Sequence, residues 1–237
     1  MKSVRIVSLG LLFALTAPQV MAARYDVSVQ NLSSGSWFTP LLVAAHPAEL
    51  SVFEPGEPAS AELEAIAEVG DISALQSALI SAGADVIANP AGGLLGPGQS
   101  VTFTLESNDP RPGTRVSLAA MILPTNDGFI GLDNVRLPRD GRAATHYLPG
   151  YDAGTEGNSE IRHTSGGGLD DPGFPVPPPL EATVSTGGSG INVAAEGFVS
   201  VHRGVLGDTD DGGGTSDIDS RVHHWLNPIA RVTIQRQ

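Results

Sequence analysis

Cysteine is absent from the 237 residues. That removes disulfides, thiolate nucleophiles, zinc fingers and iron–sulfur ligation together. Lysine occurs once, at Lys2, and every other cation is an arginine. Cations of either kind are scarce, and the formal net charge is -13. A chain this acidic is repelled by phosphate backbones, so nucleic acid is not an expected partner. Long apolar runs are absent beyond residue 22, and the one near the start, Ile6 to Leu15, is shorter than the roughly 20 residues a spanning helix needs. It follows the positively charged Met1-Lys2-Ser3-Val4-Arg5 and precedes Val20-Met21-Ala22, a small-x-Ala cleavage pattern. Residues 1–22 are therefore read as a signal peptide, and the protein as exported, either periplasmic or released. Removing Lys2 and Arg5 takes the charge from -13 to -15. With no cysteine there is no lipid-anchor site, and no membrane span is expected after signal removal.

What the chain does have is turns and short apolar runs. Glycine and proline are plentiful, at 29 and 18 residues, but stay below the level at which disorder is the default. Tyr25 to Gln30 alternates with period two, as does Gly98 to Glu106, and both read as strands. Arg115 to Leu123 is more continuously apolar, as expected near a sheet centre. Trp37–Ala45, Phe129–Leu132, Asn134–Leu137, Thr145–Leu148, Phe198–His202 and Ala230–Ile234 are further strand candidates. Between them, Ser60 can cap a helix carrying Leu63, Ile66 and Val69, and Asp71 a second carrying Leu75 and Leu79, with Gly83 as its stop. Seven or more short strands separated by turn signals predict an all-β, antiparallel β-sandwich, with residues 60–82 as a helical insertion outside its core. Residues 164–180 read as an irregular Gly/Pro-rich loop, and no linker divides residues 23–237. The expected core includes Val27, Val29, Val101, Phe103, Leu118, Ala120, Ile122, Phe129, Ile130, Leu132, Phe198, Val199, Val201, Val232 and Ile234.

Acidic side chains cluster in two places. Asn126-Asp127-Gly128, with Asp133 nearby, and Asp152-Ala153-Gly154-Thr155-Glu156-Gly157-Asn158 each follow an apolar strand. Loops at one end of a sandwich can converge, and calcium takes six to eight oxygens from such loops. The same residue types are ordinary turn formers, so a turn reading stands beside the metal reading. The second cluster, Asp208 to Asp219, places Gly212 where a calcium-loop pattern needs an oxygen ligand and lacks flanking helices. It reads as a solvated acidic loop. None of the six histidines forms a zinc-protease spacing, and no nucleophile elbow, P-loop or dinucleotide fingerprint is present. His223-His224-Trp225 reads as a turn into the last strand.

An ordered set of segments resembles the spondin N-terminal (F-spondin) domain in its bacterial exported form. It runs through Trp37-Phe38-Thr39-Pro40, His46-Pro47-Ala48, Phe53-Glu54-Pro55-Gly56, Met121 to Asp133, Tyr151-Asp152-Ala153-Gly154-Thr155-Glu156, Gly197 to His202 and Asn227 to Val232. The resemblance implies a C2-like antiparallel sandwich of the kind found in extracellular matrix and adhesion proteins, able to bind calcium through acidic end loops. By motif position, Asp127, Asp152 and Glu156 are the metal-ligand candidates, with their carboxylates in one cluster. The chain departs from animal members in lacking their cysteines, in reading Asp127-Gly128-Phe129 for Asp-Trp-Phe, and in ending the later motif on Glu156. The expectation is an exported, non-enzymatic binding or adhesion module with tentative Ca2+ and an unidentified protein or surface ligand. The rival is a hydrolase using a carboxylate pair or His202 in a cleft at the sandwich end.

Overall fold

The alternation of Tyr25 to Gln30 becomes strand β1 (Ala23–Asn31), whose alternate residues Ala23, Tyr25, Val27, Val29 and Asn31 are buried. In this computed structural model residues 22–108, 113–164, 167–191 and 193–237 are described. The signal-peptide reading falls almost wholly outside the described residues, which begin at residue 22. β1 lies between β5 (Ser100–Ser107) and β11 (Ala230–Arg236), and β11 pairs in turn with β8 (Ala144–Leu148). These four strands form one antiparallel sheet. The first and last strands thus occupy its centre, with Tyr25 opposite Arg236 and Asn31 opposite Ala230.

The second sheet runs β10-β9-β7-β6-β3-β4, all antiparallel. Its members are β3 (Leu42–His46), β4 (Asp85–Ala88), β6 (Arg115–Leu123), β7 (Gly128–Arg136), β9 (Gly150–Asp152) and β10 (Ser200–Val201). The short β2 (Trp37–Phe38) also pairs with β6. The protein is therefore an antiparallel β-sandwich, as its pattern predicts. Trp37–Ala45, expected as one strand, is split at Thr39-Pro40 into β2 and β3. The two short candidates around Phe129 and Asn134 are instead one strand, β7, which takes Asn134 through a positive φ of 51° and shifts register against β6 between Val116 and Leu118.

Both faces of β6 are covered, which is why its sequence is continuously apolar. Leu118, Ala120 and Ile122 face the interior between the sheets, with Val27, Val29, Ile130, Val232 and Ile234. Ala119 and Phe129 face the other way, onto a second apolar layer with Leu63, Ile66, Leu75 and Leu79. That layer is the helical insertion, α1 (Ala61–Val69) and α2 (Ser73–Ser81), packed outside the sandwich core. The side chain of Ser60 accepts from the Leu63 N–H at 3.2 Å, Gly70 ends α1 with φ of 71°, and Asp71 accepts from the Ser73 N–H at 2.8 Å. Ser60→Ala should lower stability by about 1 kcal/mol in urea denaturation, with the unfolding slope unchanged.

Of the expected core, Phe198 (44% exposed) and Val201 (59% exposed) are corrections. The strand there is only Ser200–Val201 at a sheet edge, so of this segment only Val199 and His202 are buried. Val101 and Phe103 are half-buried at the rim. Residues 164–180 are irregular where described, anchored by the fully buried Phe174 and Leu180, with a single 3-10 turn at Pro178–Leu180.

Candidate functional site

The turn between β6 and β7 and the segment after β9 meet at one end of the larger sheet. Gly128 stands opposite Asp152 in the β7–β9 ladder, and the Ala153 N–H donates to the Asp127 carbonyl at 3.1 Å. Two glycines here are packed too closely to carry a side chain. A Cβ on Gly128 would lie 2.6 Å from Thr125 Oγ1, and one on Gly154, whose φ is 70°, would lie 2.3 Å from the Phe198 carbonyl oxygen.

Asp127 is fully buried. Its Oδ2 accepts from the backbone N–H groups of Thr155 at 2.9 Å and Glu156 at 3.1 Å. Its Oδ1 is buried with no hydrogen-bond partner, the only carboxylate oxygen in that condition among the described residues. Burial first, and the charge of Asp152 second, push the Asp127 carboxyl up to about 8, against the pull of the two N–H donors. Asp152 is better served. Its Oδ1 accepts from the Gly154 N–H at 2.9 Å and its Oδ2 from Asn158 Nδ2 at 2.7 Å.

The structure thus brings Asp127 and Asp152 together and directs the Glu156 carboxylate elsewhere. Glu156 gives its backbone N–H to Asp127, while its Oε1 accepts from Asn126 Nδ2 at 2.9 Å and the Gly173 N–H at 2.6 Å. The reason is local: the backbone N–H groups of Thr155 and Glu156 turn toward Asp127, and the side chain of Glu156 then ties the loop to the 164–180 segment. The acid that interacts with Asp152 is Glu196, exposed on the segment before β10 and raised in pKa by burial and then by Asp152. Glu68 of α1 is the next carboxyl, buried, hydrogen-bonded to Thr155 and raised by burial to about 7. Sequence reasoning missed both. Glu196 stands alone between Ala195 and Gly197, and Glu68 sits among the ordinary acidic positions of a helix.

His202 closes the back of the site. It is buried, its ring 5.1 Å from that of Trp225, and its Nδ1 accepts from the Gly204 N–H at 2.9 Å. The proton of the neutral ring therefore sits on Nε2, 4.0 Å from Asp152 Oδ2 and without a hydrogen-bond partner. Burial holds His202 down to about 4.

The Asp208–Asp219 loop is a turn that uses up its own carboxylates. The Asp208 side chain accepts from the N–H groups of Asp210, Thr215 and Ser216, and Arg221 pairs with Asp211 and Asp219. Among the described residues no group of three or more His, Asp or Glu side chains is already arranged to hold a metal ion.

An antiparallel sandwich with buried carboxylates on its end loops defines a loop-end β-sandwich module. The family model described as Spondin_N, the spondin N-terminal domain, matches residues 30–165, more than half of the chain, and the chain belongs to that family. No curated protein matches it. The family is not one of known enzymes, and the domain is typically extracellular. No helix among the described residues is long and apolar enough to cross a membrane.

Proposed function

We propose that the protein is an exported binding or adhesion-type module, periplasmic or released, that takes a calcium ion at the end loops of its larger sheet. Asp127 and Asp152 are the carboxylate ligands in this reading, and Glu196 completes the set from the exposed side. Glu156, the third residue of the motif, holds the loop that presents them. The observation that carries the reading is Asp127 Oδ1, a buried carboxylate oxygen with no partner beside a second carboxylate. Ionising Asp127 in this buried place beside Asp152 is costly, and a cation bound between them would offset both the desolvation and the repulsion. Calcium's tolerance for mixed carboxylate, amide and carbonyl ligands suits loops of this composition. Catalysis has less support, because His202 and Asp152 are both buried and offer a substrate no open face.

Calorimetric titration of the mature protein with calcium should show saturable binding, and magnesium should compete weakly. At 100 times the dissociation constant, calcium would stabilise the fold by roughly 2.7 kcal/mol. Asp152→Asn should remove that rise in melting temperature while the metal-free protein stays folded. A melting temperature of the unmutated protein that ignores calcium would sink the proposal.

A further inference from the structure

A cleft opens where the C-terminal end of α1 meets the break between β2 and β3 and the 161–177 segment. Its volume is about 460 Å3, inside the roughly 300–1,000 Å3 of small-molecule sites. Pro40, Val69, Leu94, Leu123, Val176 and Pro177 give it an apolar wall. Arg162 also lines it, and no aspartate or glutamate does. On a chain with net charge -13, a cleft with a cation and no acid in its lining stands apart. Burial lowers His163, its other titratable lining residue, below the ordinary 6.5, so at neutral pH that ring is an uncharged part of the wall. Asp171, whose charge reaches His163, accepts from the Gly167 N–H at 3.1 Å.

The walls are fixed before any ligand arrives. The Arg162 N–H donates to Asp217 Oδ2 at 3.0 Å, and the His163 N–H to the Phe174 carbonyl at 2.9 Å. The end of α1 is seated tightly, since a Cβ on Gly70 would lie 2.7 Å from Thr39 Cγ2. Arg162 itself is held but not used up. Its Nη2 donates to both carboxylate oxygens of Glu181, at 3.0 and 3.2 Å, while its Nε and Nη1 make no hydrogen bond among the described residues. The Glu181 side chain is 53% exposed, against 24% for Arg162. An ion pair with so wet a partner contributes little, and a carboxylate inside the cleft competes with it on favourable terms.

We propose that this cleft binds a small organic acid, its apolar body against the proline, valine and leucine wall and its carboxylate on the guanidinium of Arg162. The apolar wall supplies affinity and the arginine selects the charge. The site shares no residue with the calcium ligands, and the test is run in chelator, so its outcome is independent of calcium. The probe is 4-phenylbutyrate, titrated calorimetrically into the mature protein. It should bind with a Kd below about 1 mM. The uncharged 4-phenylbutyramide should bind roughly ten-fold more weakly or worse. Arg162→Met, which keeps the apolar stem, should weaken the acid to the same degree with the melting temperature unchanged. Glu181→Gln removes the competing carboxylate and should tighten the acid roughly two-fold or more. Backbone amide shifts induced by the probe should centre on residues 94, 162, 163 and 176. The proposal is overturned by no binding at 1 mM, by an amide that binds as well as the acid, or by shifts that map elsewhere. Should Arg162→Met melt lower than the parent, Glu181→Gln decides alone: tighter binding supports the site, and unchanged or weaker binding overturns it.

Discussion

Asp127→Asn should raise the melting temperature of the metal-free protein at pH 8 to 9 and abolish any response to calcium. The asparagine oxygen can keep the N–H donors of Thr155 and Glu156, while its amide replaces a buried charge with a donor facing Asp152. The gain depends on pH in a defined direction. Asp127 holds its proton to about pH 8 in the folded protein, against an ordinary value of 3.8 in the unfolded chain. Stability from this group is complete below pH 3.8 and falls as pH rises, until both states are ionised above 8. The full span corresponds to roughly 6 kcal/mol as an upper bound. Glu68, raised from 4.5 to about 7, tilts the curve the same way between those values. His202 acts oppositely, because its folded value of about 4 lies below 6.5, so its contribution is present above pH 6.5 and is lost as pH falls toward 4. A melting-temperature profile in chelator should therefore fall from about pH 6.5 to 8, and calcium should flatten that fall. An Asn variant less stable than the parent at pH 9 in chelator would mean that the carboxylate's hydrogen bonds outweigh its burial.

Phe129→Ala should cost about 3–5 kcal/mol, read from the urea midpoint. Phe129 is fully buried on the helix-facing side of β7, its ring 5.1 Å from Phe53 in an edge-on contact and 5.6 Å from Tyr151 in a stacked one. Truncation leaves a cavity between sheet and helices that neither neighbouring ring can fill without leaving its own partner. Phe198→Ala, by contrast, should cost less than about 1 kcal/mol, since nearly half of that side chain is already in water. Similar losses at the two positions would mean that the 198–202 segment is packed more deeply than its exposure indicates.

That pair of phenylalanines also marks where sequence stops being informative. Period-two alternation in β1 and β5 and the continuous apolar run of β6 reflect one-sided and two-sided burial, and both were legible because the strands are long. Ser60 was legible as a helix start because capping is local chemistry, whereas Gly70, which ends α1, was not singled out. At Ser200–Val201 the same alternation misleads: an edge strand two residues long buries Val199 and leaves Val201 in water. β4 is only four residues long, too short for an alternation to show, and takes its strand from pairing with β3. In the site, Asp127 and Asp152 could be named from motif position, because the β7–β9 register sets them side by side. Which way Glu156 points, and that Glu196 reaches the pair, depend on contacts with residues 173 and 152 that no spacing encodes.

The central place of β1 and β11 has a consequence for how the protein is made. Each is the other's partner along seven registered positions, and β11 also carries β8. Until residues 230–236 have emerged, β1 has only β5 to pair with and β8 has no sheet at all. The chain therefore completes its smaller sheet late, through contacts spanning almost its whole length, and folding through such contacts is slow. The larger sheet has no strand that waits on β11, so the two halves of the sandwich differ in how much of the chain each needs before it can close.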